Sequence, residues 1–217
     1  MDIDPCVFKK NKIVSFFHED ALADQIKILR TQVLDRMKAI NGNCLLVTSA
    51  NSFEGKTLIA LNLAVSISQE PNRSVLFVET DMRTSSLHRY LGMDLKKGLA
   101  DYLIQEAEIP DVLLNPGIER LVILPGGRFL QTSAELLGSQ RMELLVKEMK
   151  ERYPERFIIF DGSSLMSYAD SLMFSRFIDG ILLVVEAEKT PRKDIKRCFE
   201  LLKDKPLIGT VLNKVKG

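Results

Sequence analysis

One stretch of this 217-residue chain, Cys44 to Ala64 (CLLVTSANSFEGKTLIALNLA), constrains the fold more than any other. Its apolar start, Cys44-Leu45-Leu46-Val47, has the length and branching of a buried strand. A short polar turn follows and ends in Glu54-Gly55-Lys56-Thr57, and an apolar helical pattern begins at Leu58. Strand, turn, Gly-Lys-Thr and helix form the layout of a phosphate-binding loop, in which backbone N–H groups and a helix N-terminus hold phosphates.

The loop departs from the usual glycine pattern of such motifs. Ala50 stands where the motif has its first glycine, and Ser52 and Phe53 stand where further loop glycines are usual. If the position of Phe53 requires a positive φ, a side chain there costs about 1–2 kcal/mol. That amounts to roughly a tenfold loss of affinity if all of it falls on binding. We therefore expect nucleotide binding to be weakened rather than abolished.

Composition narrows the class of protein. Thirty basic and 29 acidic residues give a net charge of +1, which argues against nucleic-acid binding through a broad basic face. No apolar run approaches the roughly 20 residues of a membrane helix, and the N-terminus lacks the apolar core of a signal peptide. The three cysteines, Cys6, Cys44 and Cys198, are scattered and not at metal-ligand spacing. They predict reduced structural thiols in a cytoplasmic protein.

Apolar strands alternate with amphipathic helices along the rest of the chain. This alternation predicts an α/β fold with a doubly wound, mostly parallel sheet flanked by helices. Residues 1–19 are expected to form an extended or loosely ordered N-terminal extension, and residues 20–217 a single domain. The further strands are predicted at Val75–Glu79, Leu121–Leu124, Phe157–Asp161, Ile181–Glu186 and Leu207–Asn213. A helix over residues 20–40 is predicted to bury a stripe of Leu22, Ile26, Leu29, Val33 and Met37.

Chemically active side chains follow three of the strands. Lys56 and Thr57 come after the first strand, Glu79 and Asp81 lie at the end of the second, and Asp161 closes the FIIF run. Because the carboxyl ends of parallel strands share one edge of the sheet, these groups are expected to converge on one Mg²⁺–nucleotide. Lys56 would neutralise the β and γ phosphates, and the Thr57 hydroxyl would ligate Mg²⁺.

The acids divide into predicted metal and catalytic groups. Asp161 would hold the metal from outside its ligand shell, although an acid in that position is also a common helix N-cap. Thr57, Asp81 and Asp161 are the predicted metal-binding residues. The predicted catalytic residues are Lys56, Glu79, Asp81 and Asp161.

The region from Leu46 to Ala64, followed by VLFVETDMR, resembles the bacterial tyrosine kinases of exopolysaccharide and capsule synthesis. These kinases are a branch of the MinD/ParA-like P-loop ATPases, and within the family the chain most resembles the autokinases associated with exosortase gene clusters. Family members read roughly TSAxPGEGKT, then hhhhDADxRxP, then hhhhDxPP, with h apolar. The chain supplies Thr48-Ser49-Ala50, Glu54 to Thr57, Asp81, Arg83 and Asp161, and the similarity extends from about Ala21 to Asn213.

The resemblance implies an activity, its cofactors and its partners. It implies transfer of the γ-phosphate of ATP to protein tyrosine with Mg²⁺, and docking on the cytosolic segment of a membrane-bound polysaccharide chain-length regulator. The chain would then be cytoplasmic and peripheral to the inner face of the membrane. Nucleotide contacts would come from Ser52, Phe53, Glu54, Gly55, Lys56, Thr57 and Leu58, with Asn213 on the adenine. The helix segment Asp24–Arg30 resembles an oligomerisation motif through Asp24, Lys27 and Arg30; the alternative is an ordinary solvated helix face.

Several residues depart from the family pattern at the same edge of the sheet. Glu79 replaces an aspartate, and its extra methylene moves the carboxylate by about 1.5 Å, while a misplacement of ~1 Å can lower a rate on the order of a hundredfold. Ser163-Ser164 replaces two prolines, so the loop after Asp161 is expected to be less rigid. The four tyrosines form no terminal cluster. Three functions therefore stay open: a kinase, a MinD/ParA-type ATPase switch, and a scaffold of the same family with little or no activity.

Overall fold

The chain forms a six-stranded parallel sheet with helices on both faces, so the predicted fold class is confirmed. The computed structural model describes residues 5–17, 21–153 and 155–215. All neighbouring strands pair in parallel, in the order β3-β2-β4-β1-β5-β6. The strands are β1 (Cys44–Ser49), β2 (Ser74–Glu79), β3 (Leu121–Leu124), β4 (Arg156–Asp161), β5 (Gly180–Glu186) and β6 (Leu207–Asn213).

The helices alternate with the strands, as the sequence predicts, and the region after β2 is broken into short pieces. Gly92 ends one of these pieces in a left-handed conformation, with a φ of 66°. The helices are α1 (Pro5–Lys10), α2 (Ala21–Ala39), α3 (Lys56–Ser68), α4 (Leu87–Leu91), α5 (Leu99–Leu103), α6 (Ile109–Val112), α7 (Ser133–Leu137), α8 (Gln140–Arg152), α9 (Asp170–Phe174) and α10 (Arg192–Leu201).

The sheet has an apolar core on each face. Side chains alternate along β1, so Leu45 and Val47 join the core beneath α1 to α4, whereas Cys44 and Leu46 join the core beneath α5 to α10. Burial of each such Leu or Val side chain stabilises the fold by about 1.5–3 kcal/mol. Two packed faces hold the central strands in place, and the carboxyl edge of the sheet therefore becomes a fixed platform for a site.

The N-terminal segment is not extended as expected from residues 1–19. In its described part, residues 5–17, it forms α1 and a short 3-10 turn. Phe8 and Ile13 are buried in the core on the α1–α4 face. Asn62 of α3 accepts from the backbone N–H of residue 15 at 3.0 Å and donates to the carbonyl of residue 12 at 3.0 Å. The prediction was wrong because the two buried apolar residues, Phe8 and Ile13, are too few to show a periodicity in the sequence. The other residues of the segment lie outside the described part.

The long helix before β1 is confirmed as α2, and the inner part of its predicted stripe is buried. Val33 and Met37 are almost fully covered, and Ile26 is buried as well. Leu22 is a correction, because its side chain is 59% exposed in the first turn of the helix. The helix is followed by Asn41 at a φ of 51°, in the left-handed region that commonly ends helices.

Candidate active site

The loop between β1 and α3 has the geometry of a phosphate-binding loop. Gly55 precedes α3 with a φ of 94°, in the left-handed region. A Cβ on Gly55 would lie only 2.2 Å from Nδ2 of Asn213, so this position requires glycine for space as well as for conformation. The first turn of α3 begins at Lys56, and its backbone N–H groups have no partner within the helix. A helix N-terminus of this kind is suited to an anion.

The strand ends bring four of the predicted side chains together. Lys56 Nζ lies 3.0 Å from Asp81 Oδ2. The Thr57 hydroxyl donates to Asp161 Oδ2 at 2.7 Å. All four side chains are buried, and β2 and β4 are neighbours in the sheet, so both acids lie beside the start of α3. The structure thus places an ammonium group, a hydroxyl and two carboxylates in one cluster.

The charges in this cluster stabilise one another. Burial alone would lower the pKa of Lys56, but the carboxylates of Asp161 and Asp81 raise it above the ordinary value. Burial alone would raise the pKa of Asp81, but Lys56 and the hydrogen bonds from Thr84 lower it. Lys56 is therefore a cation and Asp81 an anion at neutral pH. A phosphate bound in the loop would therefore lie beside a charged Lys56 that is held in place by its ion pair with Asp81.

Asp161 is the least satisfied polar side chain of the cluster. It is fully buried, and its Oδ1 has no hydrogen-bond partner among the described residues. Burial raises its pKa to about 7, although Lys56 and the hydrogen bond from Thr57 oppose the shift. An unpartnered buried carboxylate oxygen beside a hydroxyl fits a site for a hydrated cation.

The oxygen donors present fit Mg²⁺ better than a softer metal. No group of three or more His, Cys, Asp or Glu side chains that could hold a metal ion occurs in the part of the chain that the structure describes. Mg²⁺ in nucleotide sites usually takes one or two protein oxygens together with phosphate oxygens and water. Thr57 and Asp161 are placed to hold such an ion, which would neutralise charge on the phosphates.

Glu79 differs from Asp161 because both of its carboxylate oxygens are fully engaged. Oε1 accepts from the Ser85 hydroxyl at 2.9 Å and from the backbone N–H groups of Ser86 and Leu87 at 3.1 Å. Oε2 accepts from the N–H of Gly126 at 3.0 Å. Burial nevertheless raises its pKa, with these hydrogen bonds opposing the shift. Glu79 ties the start of α4 to the turn after β3, and this geometry gives no support to its predicted catalytic role.

The loop after Asp161 is held by hydrogen bonds in place of the prolines of the family pattern. Ser163 and Ser164 are both buried. The Ser163 carbonyl accepts from the hydroxyls of Thr48 at 2.7 Å and Ser171 at 2.8 Å. The Ser164 hydroxyl lies 3.2 Å from that of Ser52. Hydroxyl bonds thus anchor the loop to β1, to α9 and to the phosphate-binding loop, and the expectation that it is less rigid than a loop with two prolines stays a prediction.

The residues of the phosphate-binding loop face in different directions. Phe53 has a φ of 67°, so the condition set for a strained side chain is met. Its ring is 81% exposed. The Glu54 side chain instead turns inward, where it accepts from the Thr190 hydroxyl at 2.6 Å. Ser52 and Leu58 line the same cleft as Phe53.

Asn213 and Lys214 brace the phosphate-binding loop from the end of β6. Asn213 Nδ2 donates to the carbonyl of Glu54 at 2.8 Å, and Lys214 Nζ donates to the carbonyl of Phe53 at 2.7 Å. Asn213 thus contacts the loop backbone directly, and its expected contact with adenine stays a prediction. Lys214 was not among the predicted site residues, although its position next to Asn213 was the available signal.

A cleft of about 770 Å³ opens above the cluster and exposes residues that sequence reasoning missed. Ser86 lines it and donates from its hydroxyl to the Thr57 hydroxyl at 3.2 Å. Tyr90 lines it as well, and the pKa of its phenol is raised by burial and by the charge of Asp161. Of the four tyrosines, all in the described part of the chain, only Tyr90 lines this cleft. The sequence pattern that could have pointed to Tyr90 is the short helix that begins after Ser85-Ser86, because Tyr90 lies one helical turn after these serines.

The predicted oligomerisation motif on α2 is only partly exposed. Asp24 and Lys27 form an exposed ion pair with each other at 2.8 Å. Arg30 instead folds back onto its own chain, where it pairs with Glu70 at 2.8 Å and donates to the carbonyl of Ser66 at 3.0 Å. The motif therefore offers two side chains to a partner, and its oligomerisation role stays a prediction.

Curated relatives match almost the whole chain. No protein-family model matches it. The putative tyrosine-protein kinase CapB of Staphylococcus aureus is 24% identical over 95% of this chain and 92% of its own length. The tyrosine-protein kinase YwqD of Bacillus subtilis is 29% identical over 88% and 80%, respectively. The chain is thus similar, over most of its length, to proteins named bacterial tyrosine-protein kinases. It spans only 29% of another such relative, the tyrosine-protein kinase wzc of Salmonella typhi, at 26% identity.

Solved structures agree on the fold of this chain. The kinase domain of Escherichia coli tyrosine kinase ETK superimposes with a TM-score of 0.87 at 24% identity, over 94% of this chain and 80% of that chain. MinD of Pyrococcus horikoshii, solved with Mg-ADP, gives a TM-score of 0.62 at 24% identity over 77% and 68%, respectively. Among the described residues, no helix has the length and apolar character to cross a membrane.

Proposed function

We propose that this chain binds Mg²⁺–ATP in the cleft above α3 and transfers the γ-phosphate to a protein tyrosine during exopolysaccharide or capsule synthesis. One observation carries the proposal: the unpartnered, buried Oδ1 of Asp161, whose other oxygen binds the Thr57 hydroxyl. A structural acid of this depth would have its oxygens satisfied within the protein. The relatives named tyrosine-protein kinases supply the reaction class.

The proposed roles follow from charge and position. Lys56 binds the β and γ phosphates, and Thr57 and Asp161 hold Mg²⁺, which supplies charge neutralisation when it is bound. The tyrosine oxygen forms a bond to the γ-phosphorus as the bond to the bridging oxygen breaks, and ADP leaves. The proton of the tyrosine passes to the carboxylate of Asp81, which is ionised and adjoins Lys56. Asp81 takes this role in place of Glu79 because it adjoins Lys56, whereas the Glu79 carboxylate ties the start of α4 to the turn after β3.

The proposed partners come from the family and are compatible with the surface of the chain. We place the kinase in the cytoplasm, at the inner face of the membrane, bound to the cytosolic segment of a polysaccharide chain-length regulator. Self-association would use the exposed Asp24 and Lys27 on α2, with Arg30 anchoring that helix to its own chain. No nucleic acid is expected as a partner, because acidic and basic residues balance.

A second candidate function is nucleotide binding without phosphoryl transfer. Two observations favour it: the four hydrogen bonds that occupy Glu79 and the strained backbone at Phe53. The chain would then be a scaffold or a nucleotide-dependent switch of the MinD/ParA type, whose output is assembly or conformation.

Incubation with γ-labelled Mg²⁺–ATP separates these functions. The chain is tested with and without the cytosolic segment of its membrane partner, beside the variants Lys56→Met and Tyr90→Phe. Label on protein tyrosine that is absent in Lys56→Met supports the kinase, and loss of label in Tyr90→Phe identifies the tyrosine in the cleft as the acceptor. Release of phosphate without label on protein supports the switch. Nucleotide binding without turnover supports the scaffold, and no binding at all contradicts both the kinase and the switch.

A further inference from the structure

The phosphate-binding loop holds an exposed aromatic ring in a backbone conformation that disfavours side chains. Phe53 has a φ of 67°, and its side chain is 81% exposed. The left-handed conformation is unfavourable for any residue with a Cβ, and an exposed ring gains nothing from burial. Backbone outliers of this kind concentrate where a ligand makes use of them.

The conformation of Phe53 is braced. Lys214 Nζ donates to the Phe53 carbonyl at 2.7 Å and lies 3.0 Å from Glu186 Oε2. Asn213 Nδ2 holds the next carbonyl along the loop, that of Glu54, at 2.8 Å. Two consecutive residues, Asn213 and Lys214, therefore hold the carbonyls of Phe53 and of the residue that follows it, so the backbone that carries the exposed side chain is fixed.

The position of the ring relates it to one part of a nucleotide. Phe53 lines the same cleft as Lys56 and Thr57, which lie at the phosphate end. Phosphates bound at the N-terminus of α3 would leave the nucleoside to extend toward the rim of the loop, where Phe53 and Lys214 lie. An aromatic ring there offers a base or ribose an apolar face, and stacking of a base on an aromatic ring is tolerant of base identity.

We propose that the Phe53 ring is a stacking platform for the nucleoside portion of the nucleotide bound in this cleft. The inference rests on the proposed function, since it requires that the loop bind a nucleotide. The proposal reverses the effect expected from the missing loop glycine, which was weaker nucleotide binding. The backbone of Phe53 stays strained, but the ring of the same residue adds affinity for the nucleotide.

Binding of ADP and of pyrophosphate, measured by calorimetry in Mg²⁺ buffer, tests this proposal. Phe53→Asn removes the ring but tolerates the left-handed backbone, and Phe53→Tyr keeps the ring. We expect Phe53→Asn to weaken ADP binding about tenfold, within the range for one stacked base, and to leave pyrophosphate binding unchanged. Phe53→Tyr should bind ADP like the wild type. Phe129→Ala is the matched control, because Phe129 also lines the cleft and is 65% exposed; it should retain ADP affinity.

The outcomes separate this proposal from the proposed function. Equal or tighter binding of ADP by Phe53→Asn overturns the stacking role and leaves the nucleotide site in place. A Phe53→Gly variant that binds ADP and pyrophosphate more tightly by the same factor identifies Phe53 as strain alone, and also overturns it. A wild type that binds neither ligand overturns the nucleotide site and the stacking role together.

Discussion

Asp161 and Glu79 are two buried acids at the ends of neighbouring strands, directly opposite each other in the register of β2 and β4. Burial raises the pKa of both. They differ in their partners. Glu79 accepts four hydrogen bonds from within the protein, whereas one oxygen of Asp161 has none among the described residues. The difference teaches that depth and residue type do not assign a role; for these two acids, the number of satisfied oxygens separates the one that holds the fold together from the one left for a ligand.

The largest expected effect is on stability and falls on Glu79. Glu79→Ala leaves the buried N–H groups of Leu87 and Gly126 without an acceptor, and each such loss costs about 1–3 kcal/mol. We expect the free energy of unfolding to fall by about 3 kcal/mol or more, measured by urea titration. Asp161→Ala is the matched control. It removes one hydrogen bond from Thr57 and a poorly solvated charge, so the free energy of unfolding should fall by about 1 kcal/mol or less. Equal losses in the two variants would refute the contrast.

The next effect is on the reaction and falls on Asp161. Asp161→Asn keeps the shape of the side chain and an acceptor for Thr57 but removes the charge near the metal. A group that holds a metal from outside its ligand shell typically contributes 10–100-fold in metal affinity or activity. We expect phosphate release or transfer from Mg²⁺–ATP to fall by roughly that factor. Glu79→Asp restores the family residue, and a large gain of activity in that variant would contradict the structural role assigned to Glu79.

The sequence predicted the elements and the gathering of the cluster more accurately than it predicted partners. Six strands and the convergence of Lys56, Thr57, Asp81 and Asp161 follow from local apolar patterns and from the shared edge of a parallel sheet. The hydrogen-bond partners of Glu79 do not follow from these patterns, because Gly126 lies 47 residues further along the chain, in the turn after β3. Hydroxyl bonds at Ser163 and the packing of Phe8 likewise depend on tertiary contacts that no local pattern encodes.

The pH dependence of the free energy of unfolding tests the protonation of the same two acids, Asp161 and Glu79. The pKa of Asp161 rises from 3.8 to about 7 on folding, so between these values the native state binds more protons than the unfolded state. Stability should therefore fall as pH rises from about 4 to about 7, and the raised pKa of Glu79 adds to the same trend. Asp161→Asn should make the slope shallower, measured by urea titration across this range. An unchanged slope in Asp161→Asn would show that Asp161 is ionised throughout.

The smallest expected effect concerns the serine loop. Ser164→Ala removes the hydroxyl contacts to Ser52 at 3.2 Å and Ser167 at 2.8 Å. A hydrogen bond of this kind contributes about 0.5–1.5 kcal/mol, so the free energy of unfolding should fall by about 1 kcal/mol and ADP affinity should change little. A loss of ADP affinity comparable to that of Asp161→Asn would place Ser164 in the ligand site instead of its support.

The dependence of ADP affinity on Mg²⁺ tests the central claim most directly, since that claim is that Asp161 is the acid left free for a metal–nucleotide. Calorimetric titrations of wild type, Asp161→Asn and Lys56→Met would be compared with and without Mg²⁺. We predict that Mg²⁺ strengthens ADP binding by the wild type at least tenfold, strengthens it much less in Asp161→Asn, and that Lys56→Met binds weakly in both conditions. An equal gain from Mg²⁺ in wild type and Asp161→Asn, or no binding by the wild type, would contradict the account.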